Sequence, residues 1–323
     1  MKIKKVKNIF EKAPKNKFSN EWKTSHYMFR QVALHLISGT RGSGKSYLAS
    51  KILRAGIQEN LYDRILFISP SFLSNKKQFE DLGVAEEDVF KPEKTAIQDC
   101  INVVEQERDE FEEYLDQMEL YNKMVNSKDD TEFSDQELIN MESLFIGEEF
   151  VKPTWKRDII RPPQIILVMD DILSTPAVTG SSGINRVFMT NRHIGELKRG
   201  GALGLSVLIL TQTYSTTAGH GIGRGLRENL TELTIFETKQ EKQLDKMMEE
   251  MGGAIDPVKF KLAYDYAMKE RHDNLTISFS PKCPTLTFRR NLNEIIIFDD
   301  DKAECQCKNG KEGTRTTINS RKN

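Results

Sequence analysis

Cysteine is scarce. The chain of 323 residues has four, Cys100, Cys283, Cys305 and Cys307, too few and too scattered for a disulfide framework. Cys305-Gln306-Cys307 is half of a zinc-binding pattern, and no second cysteine or histidine pair lies near it in sequence. That usage fits a reducing, intracellular compartment. Long apolar runs are lacking too: a stretch such as Ile165 to Met169 falls far short of the roughly 20 residues a bilayer demands. The basic amino terminus has no apolar core behind it and does not read as a secretory signal, while Glu11 and the shortage of arginine argue against a mitochondrial presequence.

Net charge is nearly absent, −1 at neutral pH, but the charges are segregated. Residues 105–150 hold 16 acidic and 3 basic residues, a local −13, so the rest of the chain carries +12. The first thirty residues hold 9 lysines and arginines against 2 glutamates. A basic body with an acidic insert results. Basic surfaces attract polyphosphates through Coulomb steering and counterion release; a merely solvated charged surface is the other reading.

What is present is a series of buried-strand patterns. Val32–Ser38, Arg64–Pro70, Gln164–Asp171, Leu205–Thr211 and Leu233–Glu237 are continuous apolar runs separated by helix-like segments. The first two, with the run Ser46–Gly56 between them, read as a βαβ unit. The expected class is α/β, a three-layer core around a mostly parallel sheet, with a small carboxy-terminal β extension from two hairpin-like strands, Leu275–Ser280 and Thr285–Arg290. Between core strands, Val104, Phe111, Leu115, Met118 and Tyr121/Met124 recur at helical spacing on an acidic background. They predict a long amphipathic helix and then a shorter one, a helical insertion over 98–150. Its charge would repel DNA, so residues 105–150 are expected to project away from any DNA path and meet a protein partner or a neighbouring subunit. The organisation expected is a basic segment 1–30, a core domain 31–300 and a disordered polar tail 301–323.

The chemistry is concentrated at "GTRGSGKS". Gly39, Gly44, Lys45 and Ser46 satisfy G-x-x-x-x-G-K-[ST] after a strand and ahead of a helix. Glycines let the loop wrap so that backbone N–H groups face phosphate oxygens, and the helix dipole adds to them. The nucleotide contacts expected are Gly39, Thr40, Arg41, Gly42, Ser43, Gly44, Lys45, Ser46 and Tyr47. Lys45 reaches the β- and γ-phosphates and the Ser46 hydroxyl ligates Mg²⁺. "IILVMDD" ends an apolar strand in two carboxylates: Asp170 to hold Mg²⁺, Asp171 to polarise the attacking water, with a turn or helix cap as the plain alternative. Adjacent carboxylates argue against a small-molecule kinase, and the lack of N-K-x-D argues against a GTPase. Gln212 tips the strand "LSVLILTQT", where it senses the γ-phosphate, positions water, or simply ends the strand with a hydrogen bond.

Together "GTRGSGKS", "ILVMDD", "NRH" (Asn191–His193), "LILTQT" and "GLREN" (Gly225–Asn229) resemble the additional-strand ATPases, and within them the viral genome-packaging branch of the FtsK–HerA superfamily. The resemblance covers about residues 32–251. It implies ATP and Mg²⁺ as cofactors, a homo-oligomeric ring, double-stranded DNA as the translocated partner, and a capsid or portal-like protein as a further one. It also implies a location in the host cytoplasm, a virus factory or the virion. Asp171 stands where many relatives carry glutamate. Ring motors complete the site with a neighbour's arginine; Arg227 is the first choice, with Arg192 and, acting in cis, Arg41 as alternatives. The glycine-rich Thr217–Asn229 stretch and Lys198-Arg199 are DNA-contacting candidates or ordinary connections. His193 is weighed against plain packing. A helicase or recombination ATPase of the same core, and a nucleotide-gated scaffold, are the rival readings.

Overall fold

The structure, a computed structural model, describes residues 27–79, 82–127, 133–146, 149–173, 175–178, 183–215, 222–238, 241–281, 284–298 and 317–318. In chain order the elements are β1 (Leu34–Ser38), α1 (Lys45–Gln58), β2 (Arg64–Ile68), α2 (Phe72–Phe79), β3 (Val89–Phe90), α3 (Ala96–Asn126), α4 (Asp135–Met141), β4 (Phe145–Ile146), β5 (Glu149–Phe150) and β6 (Ile165–Asp170). Then follow α5 (Gly183–Thr190), β7 (Leu205–Thr211), α6 (Arg224–Arg227), β8 (Glu232–Phe236), α7 (Glu241–Met251), α8 (Pro257–Ala267), β9 (Asn274–Ser278), β10 (Phe288–Arg290), β11 (Glu294–Phe298) and β12 (Thr317–Ile318).

One sheet organises the molecule, in the order β3-β2-β6-β7-β1-β8-β9-β10-β11-β12. The strands from β3 to β8 are parallel, and β9, β10 and β11 continue antiparallel from β8. The apolar runs are unbroken because both faces are covered. Leu36, Leu66, Leu167 and Ile209 point to α3, α5, α7 and α8. Their alternates Ile37, Phe67, Val168 and Leu208 meet α1 and α2 on the other face, as the two-residue period of a strand requires.

Two expectations change here. β1 and β2 are parallel members of one sheet, but β7 and β6 lie between them, so the first βαβ connection skips two strands. The acidic insertion also does not simply project. The 31-residue α3 buries Ile97, Ile101, Val104, Phe111 and Tyr114 in the main core. Its Glu107, 2% exposed, is held by Arg64 (3.1 Å), Arg157 (2.7 Å) and Lys156 (3.1 Å). Burial pushes the Glu107 carboxyl up, but Arg157 and Lys156 outweigh it and its pKa ends below the usual glutamate value. Arg199 binds Asp116 (2.5 Å) and Glu119 (2.9 Å), and Lys198 donates its backbone N–H to Glu112 (2.6 Å). Lys198 and Arg199 therefore neutralise α3 instead of forming a free basic patch. Only beyond Leu120 does the insertion stand apart, with a small core of Leu120, Met141 and Leu144 and an α4 started by a Ser134–Glu137 capping box.

No helix among the described residues is long and apolar enough to cross a membrane. The basic residues 1–26, residues 216–221 of the glycine-rich stretch, and Cys305 and Cys307 lie outside the described residues. Within the tail expected to be disordered, Thr317–Ile318 pair with β11.

Candidate nucleotide site

Parallel strands deliver their carboxy-terminal ends to one edge of a sheet, and the register makes three of them meet here. Ser38 of β1 lies opposite Thr211 of β7, and Asp170 of β6 lies opposite Leu210. The loop leaves β1 with the Gly39 N–H donating to the Thr211 carbonyl (3.1 Å). A side chain at Gly39 would come within 2.6 Å of Ser43 Oγ and 2.9 Å of the Phe236 ring, so close approach requires glycine. Gly44, at φ 108°, turns the chain into α1 in a left-handed conformation that glycine adopts without strain.

Lys45 begins α1 and folds back over the loop, its ammonium donating to the carbonyls of Gly39 (2.7 Å) and Thr40 (3.1 Å). Burial lowers its pKa, and Asp171 and Asp170 partly restore it. Asp170 is buried; that burial, with Asp171 beside it, pushes its carboxyl up to about 6 against the opposing pull of Lys45. Asp171 is exposed at φ 51°, uncommon for a residue with a side chain and frequent at functional turns. Gln212, at the tip of β7, places its amide nitrogen 3.4 and 3.5 Å from the two Asp171 carboxylate oxygens. Ser46 is half-buried in the first turn of α1, while Arg41 and Tyr47 are exposed. Ser43 Oγ is buried without a hydrogen-bond partner.

A glycine loop from strand to helix, its lysine, and a carboxylate strand set one strand away across β7 define the architecture. This is a P-loop NTPase fold. No family model matches the chain, and no curated protein matches it. Among solved structures it is similar to the genome packaging NTPase B204 of Sulfolobus turreted icosahedral virus 2 in complex with sulfate, at 11% identity and a TM-score of 0.39, covering 80% of this chain and 95% of that one. The DNA-packaging ATPase B204 of Sulfolobus turreted icosahedral virus matches at 13% identity and 0.40, over 80% and 97%. VirB4 of Thermoanaerobacter pseudethanolicus matches at 13% and 0.39, over 76% and 86%.

The P-loop NTPase fold gathers Gly39 to Tyr47, Asp170, Asp171 and Gln212 at one edge. Arg227 is not among them. It is buried in α6, donating from Nε (2.9 Å) and Nη2 (2.5 Å) to Glu250 and from Nη1 to the Ile222 carbonyl, with its Cζ 4.8 Å from the centre of the Tyr214 ring. Tyr214 also donates to Glu250 (2.8 Å). That fork is spent within this chain, which corrects its reading as a donor to a neighbour. "NRH" lies at the other end of the strands: Asn191, buried, donates to the carbonyls of Val32 (3.0 Å) and Leu205 (3.1 Å), which precede or open β1 and β7. Arg192 and His193 are exposed there, His193 4.0 Å from Glu196.

Sequence reasoning missed His272 and Phe236. His272, in the turn before β9, donates from Nδ1 to the Ser43 carbonyl at 2.9 Å. No local motif marks either residue; only the β1-β8-β9 adjacency brings them to the loop.

Proposed function

We propose that the chain is the ATP-hydrolysing motor of a viral DNA-packaging machine, working as a homo-oligomeric ring that moves double-stranded DNA into a capsid. The observation that carries the reading is the convergence of Lys45, Ser46, Asp170, Asp171 and Gln212 at one sheet edge, with β7 between the phosphate-loop and carboxylate strands. The loop's backbone N–H groups, the α1 amino terminus and Lys45 bind the triphosphate of ATP. The unpartnered Ser43 hydroxyl is one polar group that such a ligand satisfies. The residues present also fit a magnesium ion, since a half-buried hydroxyl and a buried carboxylate supply the few oxygen ligands it takes from protein when phosphates supply the others. Ser46 and Asp170 would hold it, and it would supply charge neutralisation to the bound phosphates. Asp171, exposed at the rim of the site, accepts the proton of the attacking water, and Gln212 orients that water beside it.

A capsid or portal-like partner meets the tip of the insertion. Val125, Leu138, Ile139, Phe145 and Ile146 are all exposed there, half of the exposed large apolar side chains among the described residues. Isolated apolar residues on a surface are ordinary, whereas five on one small lobe support a protein contact. The motor acts within the infected cell or the virion.

The test is ATP turnover with and without DNA. Duplex DNA of any sequence should stimulate it, with stimulation falling steeply as salt rises. Preference for single strands would favour a helicase, ATP binding without DNA-stimulated turnover would favour a nucleotide-gated scaffold, and no ATP binding would overturn the reading.

A further inference from the structure

The phosphate loop is gripped from outside its own β1-α1 unit. The chain leaves α8, turns through residues 268–273 and enters β9, whose first residue, Asn274, pairs with Phe236 at the end of β8. Because β8 adjoins β1, this turn stands beside the loop. His272 adopts φ 73° there, and its Nδ1 lies 2.9 Å from the Ser43 carbonyl. A carbonyl only accepts, so Nδ1 carries the proton. The turn is braced from behind. Buried Asp273 accepts from the Glu270 N–H (2.9 Å), Arg290 (2.6 Å) and Asn291 (2.7 Å), which ties it to β10 and the turn after it.

The consequence follows from peptide geometry. The described peptide bonds are trans, and in a planar trans unit the carbonyl and the following N–H point in opposite directions. Holding the Ser43 carbonyl towards His272 therefore aims the Gly44 N–H away from it. No acceptor among the described residues takes that N–H. Gly44, with φ 108° and without a side chain, is free to turn this peptide over unless something holds it.

We infer that His272 is a positioning residue of the phosphate loop, its Nδ1–H holding the Ser43–Gly44 peptide so that the Gly44 N–H points at the phosphates of the nucleotide. The inference rests on the nucleotide reading above. It makes the antiparallel β extension part of the nucleotide site rather than an appendage to it.

The backbone at φ 73° dictates the variants. His272→Gly removes the ring and tolerates that conformation, whereas His272→Asn keeps it and puts an amide donor at the same distance from the backbone as Nδ1. The probe is a fluorescent ATP analogue with Mg²⁺, titrated into the full chain, with thermal unfolding run in parallel. His272→Gly should bind about five- to tenfold more weakly, the size expected for one hydrogen bond. The KM for ATP should rise by a similar factor, and His272→Asn should recover most of the loss. Nitrogen NMR of the nucleotide-free protein should find the His272 proton on Nδ1. Wild-type affinity in His272→Gly, equal losses in both variants, or a proton on Nε2 would overturn this role while leaving the nucleotide reading intact. A wild-type chain that binds no ATP analogue would remove both.

Discussion

Asp170 and Asp171 are adjacent in sequence and opposite in environment. Asp170 is buried, with its carboxyl raised to about 6; Asp171 is exposed at the rim beside Gln212. One suits a metal, the other a water. Asp171→Asn should retain ATP binding and lose turnover by about 10²–10⁴-fold, the usual worth of a positioned base. Lys45→Ala should abolish binding itself. A single-turnover assay beside a binding titration separates the two outcomes. Asp170 also predicts a pH dependence. Its folded pKa lies above the ordinary value of 3.8, so the folded chain takes up the proton as pH falls through about 6. Magnesium-dependent ATP binding should weaken over that window, because the proton and the metal compete for one carboxylate. Stability of the nucleotide-free chain should move the other way, rising slightly from pH 6 towards pH 4 through this group, because the folded state binds the proton more tightly than the unfolded one. Asp170→Asn should remove both contributions.

At the scale of elements, α3 joins two regions with different consequences for deletion. Its first half belongs to the main core, where Phe111 and Tyr114 pack on Trp155 and Glu107 satisfies three cations. Excising residues 105–150 removes all of this. Loss of one buried Phe already costs about 3–5 kcal/mol, and leaving cations unpaired adds to that, so the shortened chain should not fold. Excising only residues 121–150 spares those contacts and should leave ATP binding within about twofold of the full chain while impairing docking of the proposed capsid or portal-like partner. Thermal unfolding and ATP titration of the two deletions check this. A folded 105–150 deletion would contradict the place given to α3.

At the scale of the whole molecule, the proposed ring motor needs another arginine at its site once Arg227 is committed to Glu250. Arg192 is exposed at the amino-terminal edge of the sheet, a strand's length of roughly 17 Å from its own phosphate loop, so it can serve only a neighbour. Arg41 lies within the loop and can serve in cis. Lys45→Ala and Arg192→Ala subunits, each inactive alone, should regain partial ATP turnover when mixed on duplex DNA, since some interfaces then pair an intact Lys45 with an intact Arg192. Such donors are worth about 10³–10⁵ in rate, so even a few restored interfaces are measurable. Full activity of Arg192→Ala alone would transfer the role to Arg41.

Local pattern alone determined the phosphate loop, the apolar strands, the carboxylate pair at a strand end and the long amphipathic helix. Each is written in contiguous residues, because loop wrapping, strand burial and helical periodicity are short-range demands. Only the tertiary structure decided what stands beside what. β7 between β1 and β6 brings Gln212 to Asp171, and β9 beside β8 brings His272 to Ser43. Arg227, in a stretch that resembles a functional motif, is turned inward to Glu250, 23 residues further along the chain. The acidic face of α3 looked unpartnered because Arg64, Arg157 and Arg199 come from distant parts of the chain. Which charges meet, and which backbone carbonyl a histidine finds, depends on strand order, and strand order is set by packing the whole sheet at once.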